Sequence, residues 1–158
     1  TLSLGWSVAQ PRSRGQVLLS SAHPFAAPII DQRFYDDLTD QDLHVAAFRR
    51  AQELASSGAF KDTKPALPDV RSDADIRENL RVSTFHGWHG CGTCRMGQPD
   101  DPASVVDPQL HVRGVDGLRV CDVSVFPVVT SGNTNAPTVM VAEKGADMIK
   151  RDHVELFA

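Results

Sequence analysis

The run Thr84 to Gly97, midway along the chain, limits every fold this sequence can take. It holds His86, His89, Cys91, Cys94 and Trp88 among the glycines Gly87, Gly90, Gly92 and Gly97, with neither the period of a helix nor that of a strand. Glycine loses more backbone freedom on ordering than any other residue, so a stretch this rich in it predicts an irregular connection. Such a mixture suits a site rather than a core element, because reactive side chains are usually carried on loops that a rigid scaffold positions.

The pieces on either side have enough apolar content to fold. The 158 residues are 41% hydrophobic and 23% charged, as in an ordinary globular domain, and too few for a large two-domain enzyme. Lys and Arg number 16 against 20 Asp and Glu, a net charge of -4 with the basic residues scattered, which argues against nucleic acid as a partner. No apolar run approaches the roughly 20 residues that cross a bilayer, and the N-terminus lacks a charged-then-apolar signal pattern, so a soluble chain without a membrane span is expected. Cys91, Cys94 and Cys121 do not make the even-numbered framework of a small secreted domain, which favours a reducing, cytoplasmic setting.

Before the run, Leu2, Leu4, Trp6 and Val8 alternate with small or polar residues as in a half-buried strand that Pro11 stops, and Gln16 to Ser20 reads as a second strand. The two are expected to be neighbours in an antiparallel sheet. Pro24 and Pro28 make Ser21 to Arg33 an extended surface segment in which Ile29 and Ile30 pack. Thr39 to Gly58 predicts a helix with Thr39 as N-cap and Leu43, Ala47, Ala51 and Leu54 on its buried face. Lys61 to Val70, with Pro65 and Pro68, predicts a loop. Ser72 followed by Asp75 caps a shorter helix that buries Ile76 and Leu80.

After the run, Gly117 to Asp122 reads as a buried strand ending in an acid, a common place for chemistry in open α/β sheets. Val128 to Pro137 leads into a helix running to about Arg151, with Pro137 in its first turn, where a missing N–H costs nothing. The N–H groups of residues 134 to 139, backed by the positive end of the helix dipole, can hold an anion or an electron-rich ligand edge. Asn133 and Asn135 are each suited to cap this helix or to face a ligand.

Three chemistries compete for the central run. His86, His89, Cys91 and Cys94 are soft-metal ligands, but zinc sites usually draw two ligand pairs from either side of a longer loop, and here all four come from one turn. Cys91-Gly-Thr-Cys94 has the spacing of a redox dithiol but not the βαβ setting; two small residues in a close-packed turn is the simpler reading. His89 between glycines, beside Trp88 that can cover a flat ring, suits an acid/base. A histidine that takes a proton from an alcohol needs something else to accept the hydride, and no protein side chain does, so that reading demands a cofactor.

Four stretches in order, Trp88-His-Gly-Cys-Gly-Thr-Cys-Arg-Met-Gly97, Val106-Asp-Pro108, Gly117 to Pro127 and Ser131 to Ile149, resemble the C-terminal part of the glucose-methanol-choline (GMC) oxidoreductases, flavoenzymes that oxidise alcohols. Pro11 to Gly15 and Gln16 to Pro24 are similar to a substrate-domain segment of that family, with His23 where the family often has an acid. The family's proline and aliphatic residue after the histidine are Gly90 and Cys91 here.

The resemblance implies an α+β fold. Residues 1–85 would be part of an antiparallel-sheet substrate domain with flanking helices, and residues 86–158 would carry the catalytic loop and the last strand and helix of a Rossmann-like FAD-binding domain. It implies FAD as cofactor, no metal, and a small alcohol as substrate. By the same resemblance, His89 would take the hydroxyl proton as hydride passes to the flavin, Asn133 would hydrogen-bond the substrate oxygen, and Trp88, His89, Asp122, Val123, Asn133, Thr134 and Asn135 would touch the cofactor. A zinc-binding or Cys-x-x-Cys redox module, or a flavin-containing lyase of the same family, are the alternatives. The Gly-x-Gly-x-x-Gly fingerprint that holds the FAD pyrophosphate is nowhere in these 158 residues, so a second polypeptide carrying it is the expected partner.

Overall fold

A computed structural model describes residues 2–63 and 65–156; Lys64, inside the run expected as a loop, lies outside them. Helices and two small sheets make up an α+β chain that divides into two compact units, Thr1–Phe85 and His86–Ala158. Among the described residues no helix is long and apolar enough to cross a membrane.

The first unit is built on two helices, α1 (Leu38–Ala55) and α2 (Asp73–Ser83). Asp37, not Thr39, caps α1, its carboxylate accepting the Thr39 N–H at 2.9 Å. The buried residues are Asp40, Gln41, Val45, Phe48 and Ala51, while Leu43 and Leu54 of the expected stripe are exposed. Both stripes have helical spacing. The observed one carries Phe48, the largest apolar side chain of α1, and Asp40, whose carboxylate accepts the backbone N–H groups of Arg12 and Ser13, each at 2.8 Å. That tether to residues 12 and 13 turns the helix.

α2 begins as the sequence predicts. The Ser72 hydroxyl accepts the Asp75 N–H at 3.1 Å, and the Asp75 carboxylate accepts the Ser72 N–H at 3.3 Å. Its buried Ile76 and Leu80 meet Val45 and Phe48, with Trp6, Tyr35 and Val70 packed around them. Each such apolar side chain contributes about 1.5–3 kcal/mol on leaving water.

The strands differ from expectation. β1 (Leu2–Ser3) pairs in parallel with β4 (Pro65–Ala66), and β2 (Gln16–Leu18) pairs antiparallel with β3 (Ile29–Asp31), Val17 opposite Ile30. The two segments expected to be neighbours therefore sit in separate sheets. β4 falls in the run expected as a loop, and β3 within the segment expected to be merely extended. Ile29 and Ile30, expected to pack, are exposed.

The second unit has its own core of Val106, Leu110, Val125, Phe126 and Val141. Single bridges, Met96 to Val106, Val106 to Val112 and His111 to Arg119, hold its loops together. Gly117 to Asp122 is not the buried strand expected. Arg119 bridges His111, the Val120 N–H goes to the Leu110 carbonyl at 3.1 Å, and the chain then enters a one-turn 3₁₀ helix, Val123–Val125. A strand needs a partner along its length, and the backbone contacts of this stretch go to the turn around His111 at a few residues only, Val112 to Leu118 and Val120 to Leu110. The last helix, α3 (Asn135–Asp152), is where the sequence places it. It passes so close to residue 121 that a Cβ on Gly145 would lie 2.7 Å from the Cys121 sulfur.

Candidate active site

The glycine-rich run is stitched down on its C-terminal side. The N–H groups of Cys94 and Met96 donate to the carbonyls of Ser124 and Val125 at 2.9 and 2.8 Å, and that of Gly97 to Val106 at 3.1 Å. Cys91 and Met96 pack on the core cluster. At Gly92, φ is 88° and a Cβ would meet the Phe126 carbonyl at 3.2 Å, so glycine there serves both backbone and packing.

Upstream of those anchors the side chains of the run turn outward. Trp88 adopts a left-handed backbone, φ 63°, and is 83% exposed. Its ring stands edge to face with His86 at 4.3 Å, and its backbone N–H donates to His86 Nδ1 at 3.3 Å. His89 is half-buried, and its Nδ1 lies 2.9 Å from Thr134 Oγ1.

Thr134 stands at the N-cap of α3 and is only 7% exposed, between the exposed Asn133 and Asn135. Neither asparagine occupies the capping position considered for them. The Thr134 carbonyl accepts the Thr138 N–H at 2.9 Å and the Thr138 hydroxyl at 2.7 Å, while its own hydroxyl makes no capping bond. The N–H groups of Asn135 and Ala136 precede that first helical bond, and Pro137 has none, which leaves two donors at the positive end of the dipole.

Asp122 is exposed and caps the short helix that follows it, its carboxylate accepting the Ser124 N–H at 2.7 Å. Val123 packs on the core. In the Val106-Asp-Pro108 stretch, Asp107 accepts the N–H groups of Gln109 and His111, each at 2.9 Å, and faces the His111 ring. Burial pushes its carboxyl up, and those hydrogen bonds outweigh burial and hold it below the usual carboxylate range. That motif builds a turn rather than a site.

Thus the residues singled out in the sequence come from three places in one unit: the outward half of the run, the turn at Asp122 and Val123, and the start of α3. The direct link between them, His89 to Thr134, was missed by spacing, although a threonine just before a helix is itself a signal of an N-cap. His86, His89, Cys91 and Cys94 belong to no metal-holding cluster: among the described residues no three His, Cys, Asp or Glu side chains gather to hold an ion.

The family model for the GMC oxidoreductases matches residues 11–142. The chain belongs to the GMC oxidoreductase family. It is 44% identical over 142 residues to an oxygen-dependent choline dehydrogenase of Rhizobium johnstonii, covering 87% of this chain and 26% of that protein. It is 41% identical over 145 residues to an alcohol dehydrogenase [acceptor] of Pseudomonas putida, covering 89% and 26%. Among solved structures, pyridoxine 4-oxidase from Mesorbium loti superposes with a TM-score of 0.81 at 30% identity, over 88% of this chain and 28% of that one. An FAD-dependent oxidoreductase from Chaetomium thermophilum gives 0.83 at 32%, over 92% and 26%. The chain thus spans about a quarter of the length of these relatives. This GMC chain is the C-terminal type of segment, an oxidoreductase part, and FAD is the cofactor its family and solved neighbours support.

Proposed function

We propose that this GMC segment supplies the proton-handling half of an FAD-dependent alcohol oxidation, with His89 as the base. The observation that carries the reading is the His89 to Thr134 bond, which engages Nδ1 at 2.9 Å and leaves Nε2 as the ring nitrogen for substrate. FAD, when bound, supplies the hydride acceptor. The alcohol would give its hydroxyl proton to His89 Nε2 and, its carbinol hydrogen taken up as hydride by that acceptor, would leave as the carbonyl compound. Asn133, exposed one residue before Thr134, donates an amide N–H to the substrate oxygen; an amide cannot also take the proton, so that task rests on His89 alone.

The residues present fit the cofactor. The N–H groups of Asn135 and Ala136 at the start of α3, without a backbone partner among the described residues, and the exposed amides of Asn133 and Asn135 beside them suit the electron-rich edge of a flavin. The exposed Trp88 ring and the turn at Asp122 and Val123 are the other residues of this chain that would hold it. The substrate is a small alcohol, and the rest of the flavin site comes from a glycine-rich portion outside these residues, carried in our proposal by a second polypeptide. Residues 1–85 act as part of the substrate domain, and residues 86–158 return to the Rossmann-like FAD domain.

Anaerobic reduction of the flavin by a primary alcohol in the complete enzyme tests the base. A His89→Ala variant should slow it by roughly 10²–10⁴-fold, the usual worth of a positioned general base. Near-normal reduction removes His89 from the mechanism, and full flavin loading with no bleaching by any alcohol in the parent enzyme favours a lyase.

A further inference from the structure

We infer that Thr134 is a positioning residue for His89: its hydroxyl, withheld from the helix it begins, orients the imidazole and fixes which ring nitrogen is bare. The inference rests on the proton-accepting role proposed for His89 and adds how that role is set up.

The molecule contains its own comparison. Asp37 and Ser72, at the N-caps of α1 and α2, have extended backbones with ψ of 115° and 156°, and both side chains bond the first turn of their helices. Thr134, in the same position of α3, has φ -78° and ψ -10°, and its side chain makes no capping bond. A helical backbone at an N-cap swings the hydroxyl away from the orphan N–H groups it would otherwise satisfy. Here the hydroxyl goes to His89 instead, 45 residues away in sequence.

The arrangement is also stiff where stiffness matters. Thr134 is almost wholly buried, its carbonyl is fixed by two bonds from Thr138, and a β-branched side chain has few χ1 rotamers. His89, by contrast, hangs between Gly87 and Gly90 on the less anchored side of the run, so its backbone alone does not fix its ring. For Nε2 to accept a proton it must be bare, which puts the hydrogen on Nδ1, where it donates to Thr134 Oγ1. A hydroxyl does this without a second charge: it selects the tautomer as the acid of a hydrolytic triad does, but it does not trap the imidazolium in an ion pair.

The test uses the complete flavin-loaded enzyme and a primary alcohol, comparing Thr134→Val, Thr134→Ser and each in a His89→Ala background. Thr134→Val should slow anaerobic flavin reduction about tenfold, the factor set by one ordinary hydrogen bond. The alcohol concentration at half-saturation should barely move, and the solvent deuterium isotope effect should grow, because proton transfer is the step made harder. Thr134→Ser should restore most of the rate. With His89→Ala in place, Thr134→Val should slow nothing further.

Equal slowing in both backgrounds, or a weakened half-saturation at an unchanged limiting rate and isotope effect, overturns the inference. Flavin content and thermal midpoint check folding, and Thr134→Ala carries the same comparison if the valine variant loses its flavin. A silent Thr134→Val beside a crippled His89→Ala overturns the positioning role alone; normal reduction by His89→Ala overturns the base and, with it, the positioning.

Discussion

His44 accepts the indole N–H of Trp6 at Nδ1, 3.2 Å away, and stands edge-on to the Tyr35 ring at 5.7 Å, one turn after the buried Asp40. Burial lowers its pKa, and the Asp40 charge offsets this only in part. The folded chain therefore takes up this proton less readily than the unfolded chain. The stability that follows is present in full above about pH 6.5 and is lost as pH falls from there through the lower folded value. The hydrogen bond gives the same sign, since a protonated Nδ1 would face the Trp6 donor. Thermal midpoints should fall between about pH 7 and pH 5.5, and His44→Gln, neutral throughout, should flatten that slope; an equally steep slope in the variant contradicts the assignment. None of this network was legible in the sequence, because Trp6, Asp40 and His44 meet only after α1 has been turned. The His89 to Thr134 bond escaped for a related reason: sequence spacing offered two asparagines for the cap and had no means of showing where a neighbouring hydroxyl points.

Elements whose causes are local were legible. The capping box of α2 needs only Ser72 and Asp75, and its buried Ile76 and Leu80 follow from period. α1 was placed along the chain but turned wrongly, since Leu43, Ala47, Ala51 and Leu54 and the observed Val45, Phe48 and Ala51 both satisfy helical spacing, and the tether from Asp40 to residues 12 and 13 decides between them. β1 and β2 fall in segments read as strands but have other partners, because alternation marks a face and says nothing of a neighbour, while β3 and β4 lie in segments whose prolines hid them. In α3 the decisive contact is Gly145 against Cys121. Gly145→Ala gains about 1 kcal/mol of helix propensity but puts a methyl into a space closed by the sulfur, and overpacking costs about 1–3 kcal/mol. Packing should win, lowering the thermal midpoint, and Cys121→Ala in the same chain should recover the loss. Stabilisation by Gly145→Ala alone would mean that α3 yields easily.

At the scale of the molecule, family membership was legible because four motifs occur in order, while the pairing of its strands was not, since it joins segments whose own patterns do not name a partner. β2 and β3 form a two-stranded sheet, and Val17, Leu18, Leu19, Phe25, Ile29 and Ile30 on and between those strands remain exposed. Two strands alone are marginal in water, and open edges invite pairing. Without a glycine-rich nucleotide fingerprint, this chain purified by itself should carry no stoichiometric flavin in its visible absorption spectrum; a yellow protein would contradict the division of the site proposed above. Trp88 then acquires a use unconnected with catalysis. The chain has two tryptophans, one half-buried and hydrogen-bonded to His44, the other a solvated ring held out on a left-handed residue beside the proposed flavin position. Indole emission overlaps flavin absorption, so in the proposed division of the site the long-wavelength part of this chain's fluorescence is a built-in optical gauge of assembly, dimming as a flavin-bearing portion arrives.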